Sequence, residues 1–178
     1  MRIPIAIFLG LVAVLLAILG LHEIGTPTAT RPGDFDGTVG IEVLIDWAPD
    51  LQRIEEDRTA WWWPGCRQAR HFYYGKTGEQ LVWLDVMRTT YSDKRALDRE
   101  FTRQSQGTKL SQMSVNGQTY RLESSADSDP DSALLLFSYN DEPVGLRILQ
   151  RRGFELVSTT LIGLFPVSAE ARARLVAQ

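Results

Sequence analysis

The sequence predicts an α+β fold: an N-terminal transmembrane helix, then one small domain with an antiparallel β-sheet and two or three helices on one face. Three observations predict it. A long uncharged apolar segment begins the chain, short apolar runs joined by tight turns fill its second half, and two segments begin with a helix-capping Ser. The sheet is expected to be a hairpin meander, because the loops are too short for crossover helices.

Residues 1–21 are predicted to form an uncleaved signal-anchor helix. Ile3 to Leu21 are nineteen residues without a charge, and at roughly 1.5 Å rise per residue they match a hydrocarbon layer of about 30 Å. A cleavable signal has a shorter apolar run followed by an A-x-A-like site, which is missing after Gly20. A cleaved export signal remains the alternative.

The charge bias around this segment predicts its orientation. Arg2 and the α-amino group precede it, and Arg31 is the first Lys or Arg after it. Basic residues favour the cytoplasmic side. In a bacterium the anchor would therefore lie in the inner membrane, with the domain in the periplasm or outside the cell.

The small residues of the anchor recur at intervals of four and three, which places them on one helical face. Membrane helices approach closely over such strips. The spacing predicts a helix-packing face for self-association or for docking on a larger membrane protein, with the remaining faces against the lipid bilayer. Its members are Ala6, Gly10, Ala13, Ala17 and Gly20.

Residues 22–40 are rich in Gly, Pro and Thr and are predicted to be a flexible linker to an extracytoplasmic domain of residues 41–178. Within the domain, the β-branched run 41–46 predicts a strand, and Leu51 with Ile54 predicts a short helix to Arg58. A strand is expected over 80–87. A helix capped by Ser92 is expected over about 93–104.

The second half of the chain predicts an antiparallel meander. Asn116-Gly117 is a strong hairpin signal, because both residues accept the positive φ of a type I′ turn. Further turns are expected at Asp141-Glu142 and Arg152-Gly153. A final short helix is expected after its cap Ser168.

The composition narrows the possible functions. A net charge of −3 and a pI near 5.4 argue against a nucleic-acid partner, because phosphate binding needs clustered Lys and Arg. The only cysteine is Cys66, so an internal disulfide is excluded.

The segment AWWWPGCRQARHFYYG is the leading candidate for a binding surface. Exposed aromatic rings could hold a sugar, a peptide or the membrane interface. Alternatively, alternate residues of each triplet pack into the core, since strand side chains point to opposite faces in turn. The candidate residues are Trp61, Trp62, Trp63, Phe72, Tyr73 and Tyr74.

The rival hypothesis is a thiol-dependent enzyme or redox protein that uses Cys66 with His71, because nearby arginines would favour the thiolate. An inert structural thiol is the simpler interpretation. A metal site would need carboxylates from elsewhere in the chain, so no metal and no cofactor are expected.

These observations predict a membrane-anchored, non-catalytic accessory or assembly protein that binds a partner in a membrane complex. If the N-terminal segment is cleaved, a secreted ligand-binding domain is expected instead.

Overall fold

The computed structural model describes residues 25–106, 112–115, 118–124, 130–165, 168, 170, 174 and 175. Within these residues the chain forms one sheet of nine antiparallel strands and two helices. In chain order the elements are β1 (Thr26–Thr28), α1 (Glu42–Trp47), β2 (Gln52–Trp63), β3 (Cys66–Thr77), β4 (Gln80–Tyr91), α2 (Lys94–Ser105), β5 (Gln112–Val115), β6 (Gln118–Ser124), β7 (Ser132–Tyr139), β8 (Glu142–Arg152) and β9 (Glu155–Ile162).

Two meanders make up the sheet, in the spatial order β1-β2-β3-β4-β9-β8-β7-β6-β5. They meet where β4 pairs with β9, from Trp83 opposite Ile162 to Thr90 opposite Glu155. Every residue of β9 after Glu155 is buried. The second meander therefore runs from β5, at one edge of the sheet, to β9, at the centre of the whole sheet.

The two helices cover opposite faces of the sheet. Ile148 belongs to the apolar cluster around Val43 and Leu44, whereas its neighbour Leu149 belongs to the cluster around Leu97 and Phe101. Adjacent side chains of a strand point to opposite faces, so α1 and α2 lie on different sides. These sides are called the α1 face and the α2 face below.

The expected α+β arrangement with two or three helices on one face is wrong. The described residues form mostly an antiparallel sheet, and its two helices lie on opposite sides. The physical reason is the burial of β9 on both faces. A sheet with two apolar faces needs a cover on each of them.

The two element predictions for residues 41–58 are wrong: the expected strand is a helix, and the expected helix is a strand. Residues expected as a strand form α1, in which Val43 and Leu44 are buried while Ile45 is exposed, so burial outweighs β-propensity. Residues expected as a helix belong to β2. The charges of Glu55 to Arg58 suit an edge strand, because β1 pairs only with residues 60–62 of β2 and leaves the rest of that edge open.

The remaining element predictions in the described residues are confirmed within a few residues. The strand expected over 80–87 continues to Tyr91, and the helix expected over 93–104 spans Lys94–Ser105. Its N-cap is Asp93, whose side chain accepts a hydrogen bond from the Arg95 backbone N–H, rather than Ser92.

The predicted meander is also confirmed. β5 pairs with β6 from Gln112 opposite Arg121 to Val115 opposite Gln118, and the predicted turn at Asn116-Gly117 lies outside the described residues. Asn140 and Asp141 join β7 to β8, with φ of 52° and 64°. Gly153 and Phe154 join β8 to β9, so both of these turns lie within one residue of their predicted positions.

Several predictions fall on parts of the chain outside the described residues. These are the membrane anchor over 1–21, its five packing residues, and most of the final helix after Ser168. Of the residues that the structure describes, none form a helix with the length and hydropathy of a membrane span.

Gly163, which follows β9, provides a test of the central packing. A Cβ there would come 1.9 Å from the backbone oxygen of Leu81, and its φ is +91°. Gly65 has the same φ, but its Cβ would meet only Ser92 Oγ, at 3.5 Å. We expect Gly65→Ala to cost about 1–2 kcal/mol for the left-handed backbone, and Gly163→Ala to cost about 1–3 kcal/mol more for the added clash.

Urea unfolding of both variants measures this difference. Equal losses of unfolding free energy would show that Gly163 is not crowded by the neighbouring strand.

Candidate functional site

A surface groove of about 640 Å³ lies on the α1 face, at one end of β2, β3 and β4. This end carries the β2–β3 turn at Pro64 and Gly65 and the β8–β9 turn at Gly153 and Phe154, and is called the turn end of the sheet. The groove is lined by Arg31, Pro32, Gly33, Asp34, Trp62, Gly65, Cys66, Arg67, Ala69, Arg88, Thr90, Tyr91, Ser92 and Glu155. Its volume falls within the range of ligand sites.

Arg67, on β3, fixes one wall of the groove. Its guanidinium donates two hydrogen bonds to the Asp34 carboxylate, at 3.3 and 2.7 Å, one to Thr28 Oγ1 at 2.7 Å and one to the Ala29 carbonyl at 3.0 Å. Both members of the ion pair are largely buried. Loss of one partner of such a pair typically costs about 3–5 kcal/mol.

Burial and hydrogen bonding oppose each other at Asp34. Burial alone would raise its pKa, but hydrogen bonds from the Arg67 guanidinium and the Arg31 backbone N–H outweigh it, so the pKa is lowered. Asp34 is therefore an ionised structural partner of Arg67 at neutral pH.

Arg88, on β4, fixes the floor of the groove. It donates to both carboxylate oxygens of Glu155, at 3.0 and 2.9 Å, and to the carbonyls of Gly33 and Asp36, at 2.9 and 3.1 Å. The segment predicted as a linker thus contains, in its described part, β1 and a turn-rich stretch that these two arginines hold against the sheet.

The six predicted aromatic residues are divided between the two faces. Tyr73 belongs to the apolar cluster of the α1 face. Trp62 pairs with Arg67, which lies six residues before Tyr73 on β3, so Trp62 lies on the same face, and the other four lie on the α2 face. Tyr73 is 4% exposed, whereas Trp62 is 50% exposed and lines the groove. One of the six therefore combines high exposure with a position in the groove.

The four aromatic residues on the α2 face take part in local packing. The Trp61 and Trp63 rings lie 6.5 Å apart, and Phe72 lies 5.7 Å from the Trp83 ring, under the Arg70 guanidinium. Tyr74 pairs with Trp83 on the neighbouring strand and is half-buried. They do not form one platform with Trp62.

His71 lies on the α1 face inside a hydrogen-bonded network and is 4% exposed. Its Nε2 is 2.6 Å from Glu56 Oε1, and its Nδ1 is 3.1 Å from the Tyr73 hydroxyl. Because a carboxylate only accepts, Nε2 carries the proton and Tyr73 donates to Nδ1. Arg58 Nε lies 2.7 Å from Glu56 Oε1 and 3.1 Å from His71 Nε2. Because Nε2 already carries a proton, Arg58 donates to the Glu56 carboxylate.

Cys66 and His71 are not brought together. They are five residues apart on β3, so their side chains point to opposite faces. Burial and then the charge of Glu100 raise the pKa of the Cys66 thiol, and burial lowers the pKa of His71. Both shifts disfavour a thiolate–imidazolium pair.

Sequence reasoning missed the residues that build the wall and the floor of the groove. Asp34 and Arg67 are 33 residues apart, and Arg88 and Glu155 are 67 apart. No short motif connects them. Among the residues that the structure describes, no group of three or more His, Cys, Asp or Glu could hold a metal ion.

The chain matches no known protein family, no curated protein and no solved structure.

The buried His71 predicts a pH dependence of stability. Its folded-state pKa is lowered, first by burial, below the usual value of 6.5, while its hydrogen bond to Glu56 acts in the opposite direction. As the pH falls through about 6.5, the unfolded chain gains a proton that the folded chain does not, so the free energy of unfolding falls. We expect His71→Gln to remove this loss between pH 7.5 and 5.5.

Urea unfolding at the two pH values tests the prediction. His22 is present in both proteins, so its contribution cancels. An identical pH dependence in wild type and variant would contradict it.

The raised pKa of Cys66 predicts slow alkylation. Because the thiolate is the reacting form, we expect iodoacetamide at pH 8 to modify the folded protein more slowly than a free thiol. In urea the rate should rise to that of a free thiol. Mass spectrometry follows the reaction, and faster modification of the folded protein than of glutathione would support the thiol-enzyme hypothesis instead.

Proposed function

We propose that this chain is a membrane-anchored, non-catalytic binding protein, an accessory or assembly factor of a membrane complex, with its folded domain in the periplasm or outside the cell. The observation that carries the proposal is the groove at the turn end of the sheet, where the half-exposed Trp62 lies beside the wall fixed by Arg67, with the floor fixed by Arg88 one strand further on. A fixed wall beside an exposed indole favours binding, because little side-chain freedom is lost when a partner arrives.

The electrostatics of the groove favour a role in binding over one in catalysis. Arg67 and Arg88 each donate four hydrogen bonds within the chain, and Asp34 and Glu155 neutralise their charges. A group that is already paired in this way contributes little to a developing charge in a transition state. Trp62 is the exposed large hydrophobic side chain of the groove, and the exposed Arg31 also lines it.

The N-terminal segment determines the partner, because it holds the domain beside proteins of the same membrane. Its nineteen uncharged residues suit a membrane span, and its stripe of small residues suits contact with a second membrane helix. Tethering raises the effective concentration of the groove toward a segment of the same membrane partner close to the bilayer. A modest groove is therefore sufficient for stable association.

Affinity purification of the full chain in mild detergent tests both contacts. We expect an intact N-terminus and a stoichiometric membrane partner by mass spectrometry. The Ala13→Leu/Ala17→Leu variant should lose most of the partner, because larger side chains prevent close helix approach. The matched variant Val14→Leu/Ile18→Leu, with the same spacing on another helical face, should keep it.

The domain contact is tested by a second pair of variants. Trp62→Ala should reduce partner recovery, whereas Ile54→Ala should not, since Ile54 is exposed at the other end of the same strand. A truncated N-terminus without a partner would overturn the proposal and favour a secreted ligand-binding domain.

A further inference from the structure

Two exposed aromatic side chains stand at the turn end of the sheet. Trp62, beside the β2–β3 turn, is 50% exposed, and Phe154, in the β8–β9 turn, is 53% exposed. Exposed rings at one end of a domain are typical of a surface that meets an apolar or interfacial partner.

The two turns are fastened to the end of the same central strand, β4. The Tyr91 N–H donates to the Phe154 carbonyl at 2.8 Å, and the Ser92 N–H donates to the Gly65 carbonyl at 2.9 Å. The turns are therefore held side by side, and Trp62 and Phe154 belong to one fixed surface.

The chain enters the domain at this same end. Gly25 is buried against Trp63, since a Cβ on it would come 2.4 Å from the indole ring, and Thr26 pairs with Trp62. Leu21, the last residue of the uncharged segment, is four residues before Gly25. A fully extended chain covers at most about 14 Å over four residues.

We infer that the turn end of the sheet rests on the bilayer surface, with Trp62 and Phe154 at the level of the lipid headgroups. The inference depends on the anchor proposed above, because that anchor brings the hydrocarbon layer within about 14 Å of Gly25. Aromatic rings are favoured at the membrane–water interface, where one part of the ring contacts apolar groups while the rest stays hydrated.

The two exposed rings, and not the charges at this end, are the basis of the inference. At this end Arg67 is paired with Asp34, Arg88 with Glu155 and Arg151 with Asp98. These three charges are neutralised within the protein, whereas Arg31, which lines the groove at this end, is exposed. An attraction of Arg31 to anionic lipids has to be kept apart from the contact of the two rings. A zwitterionic bilayer of phosphatidylcholine is therefore the appropriate probe.

The test uses the full chain in phosphatidylcholine vesicles, with Cys66→Ser as the background. A nitroxide label is attached to Phe154→Cys, and in a matched variant to Ile54→Cys. Ile54 is 40% exposed and lies eight residues from Trp62 along β2, roughly 26 Å away. Electron paramagnetic resonance then compares the collision rates of each label with a water-soluble nickel complex, and thermal unfolding checks that both variants remain folded.

We expect the label at position 154 to collide with the nickel complex at least about twofold less often than the label at position 54, as in the headgroup region. Equal, water-like rates at both positions in a protein that resists alkaline extraction would overturn the inference while leaving the anchor intact. Protection at both positions would show that the domain lies on its side, which also overturns it. Release of the protein from the vesicles with a truncated N-terminus would instead overturn both the proposed function and this inference.

Discussion

The pairing of β4 with β9 is the constraint on which the rest of the structure depends. It joins the two meanders into one sheet, with Thr90 opposite Glu155 and Arg88 opposite Val157. In this register Arg88 and Glu155 are diagonal neighbours on the α1 face, which allows their two-fold hydrogen bonding. A slip of one residue would turn Arg88 to the other face and remove the floor of the groove.

The same pairing explains why the helices separate. Because β9 is buried on both sides, helices on a single face would leave either Leu84 and Leu161 or Leu149 and Leu156 in water, at about 1.5–3 kcal/mol for each side chain. The second-half strands could be read from the sequence, since apolar runs and turn residues alternate there. Burial on both faces could not be predicted, because a short apolar run does not show how many of its sides are covered.

The exchange of helix and strand in 41–58 has a similar origin. The charges of an edge strand resemble the solvated face of a helix, and a β-branched run can form a helix where tertiary burial stabilises it.

The candidate site was only partly predictable for a related reason. Trp62 was among the predicted residues, but strand alternation separates it from Trp61 and Trp63, and the same parity separates Cys66 from His71. Both separations follow from the sequence once 52–63 and 66–77 are recognised as strands. The ion pairs of the wall and the floor of the groove do not, because each joins elements that only the complete sheet brings together.

Arg67 and Arg88 also hold the chain that follows β1 in a fixed position on the domain. Ordering a Gly- and Pro-containing stretch such as 29–36 costs about 1–2 kcal/mol per residue in backbone entropy. Five hydrogen bonds from the Arg67 and Arg88 guanidinium groups to this stretch offset that cost, since bonds from charged donors contribute about 1.5–3 kcal/mol each. The chain between β1 and α1 is thereby held against the sheet. Because β1 follows Gly25 directly, pairs with β2 and leads into this fastened stretch, the point at which the chain enters the domain is fixed relative to the groove.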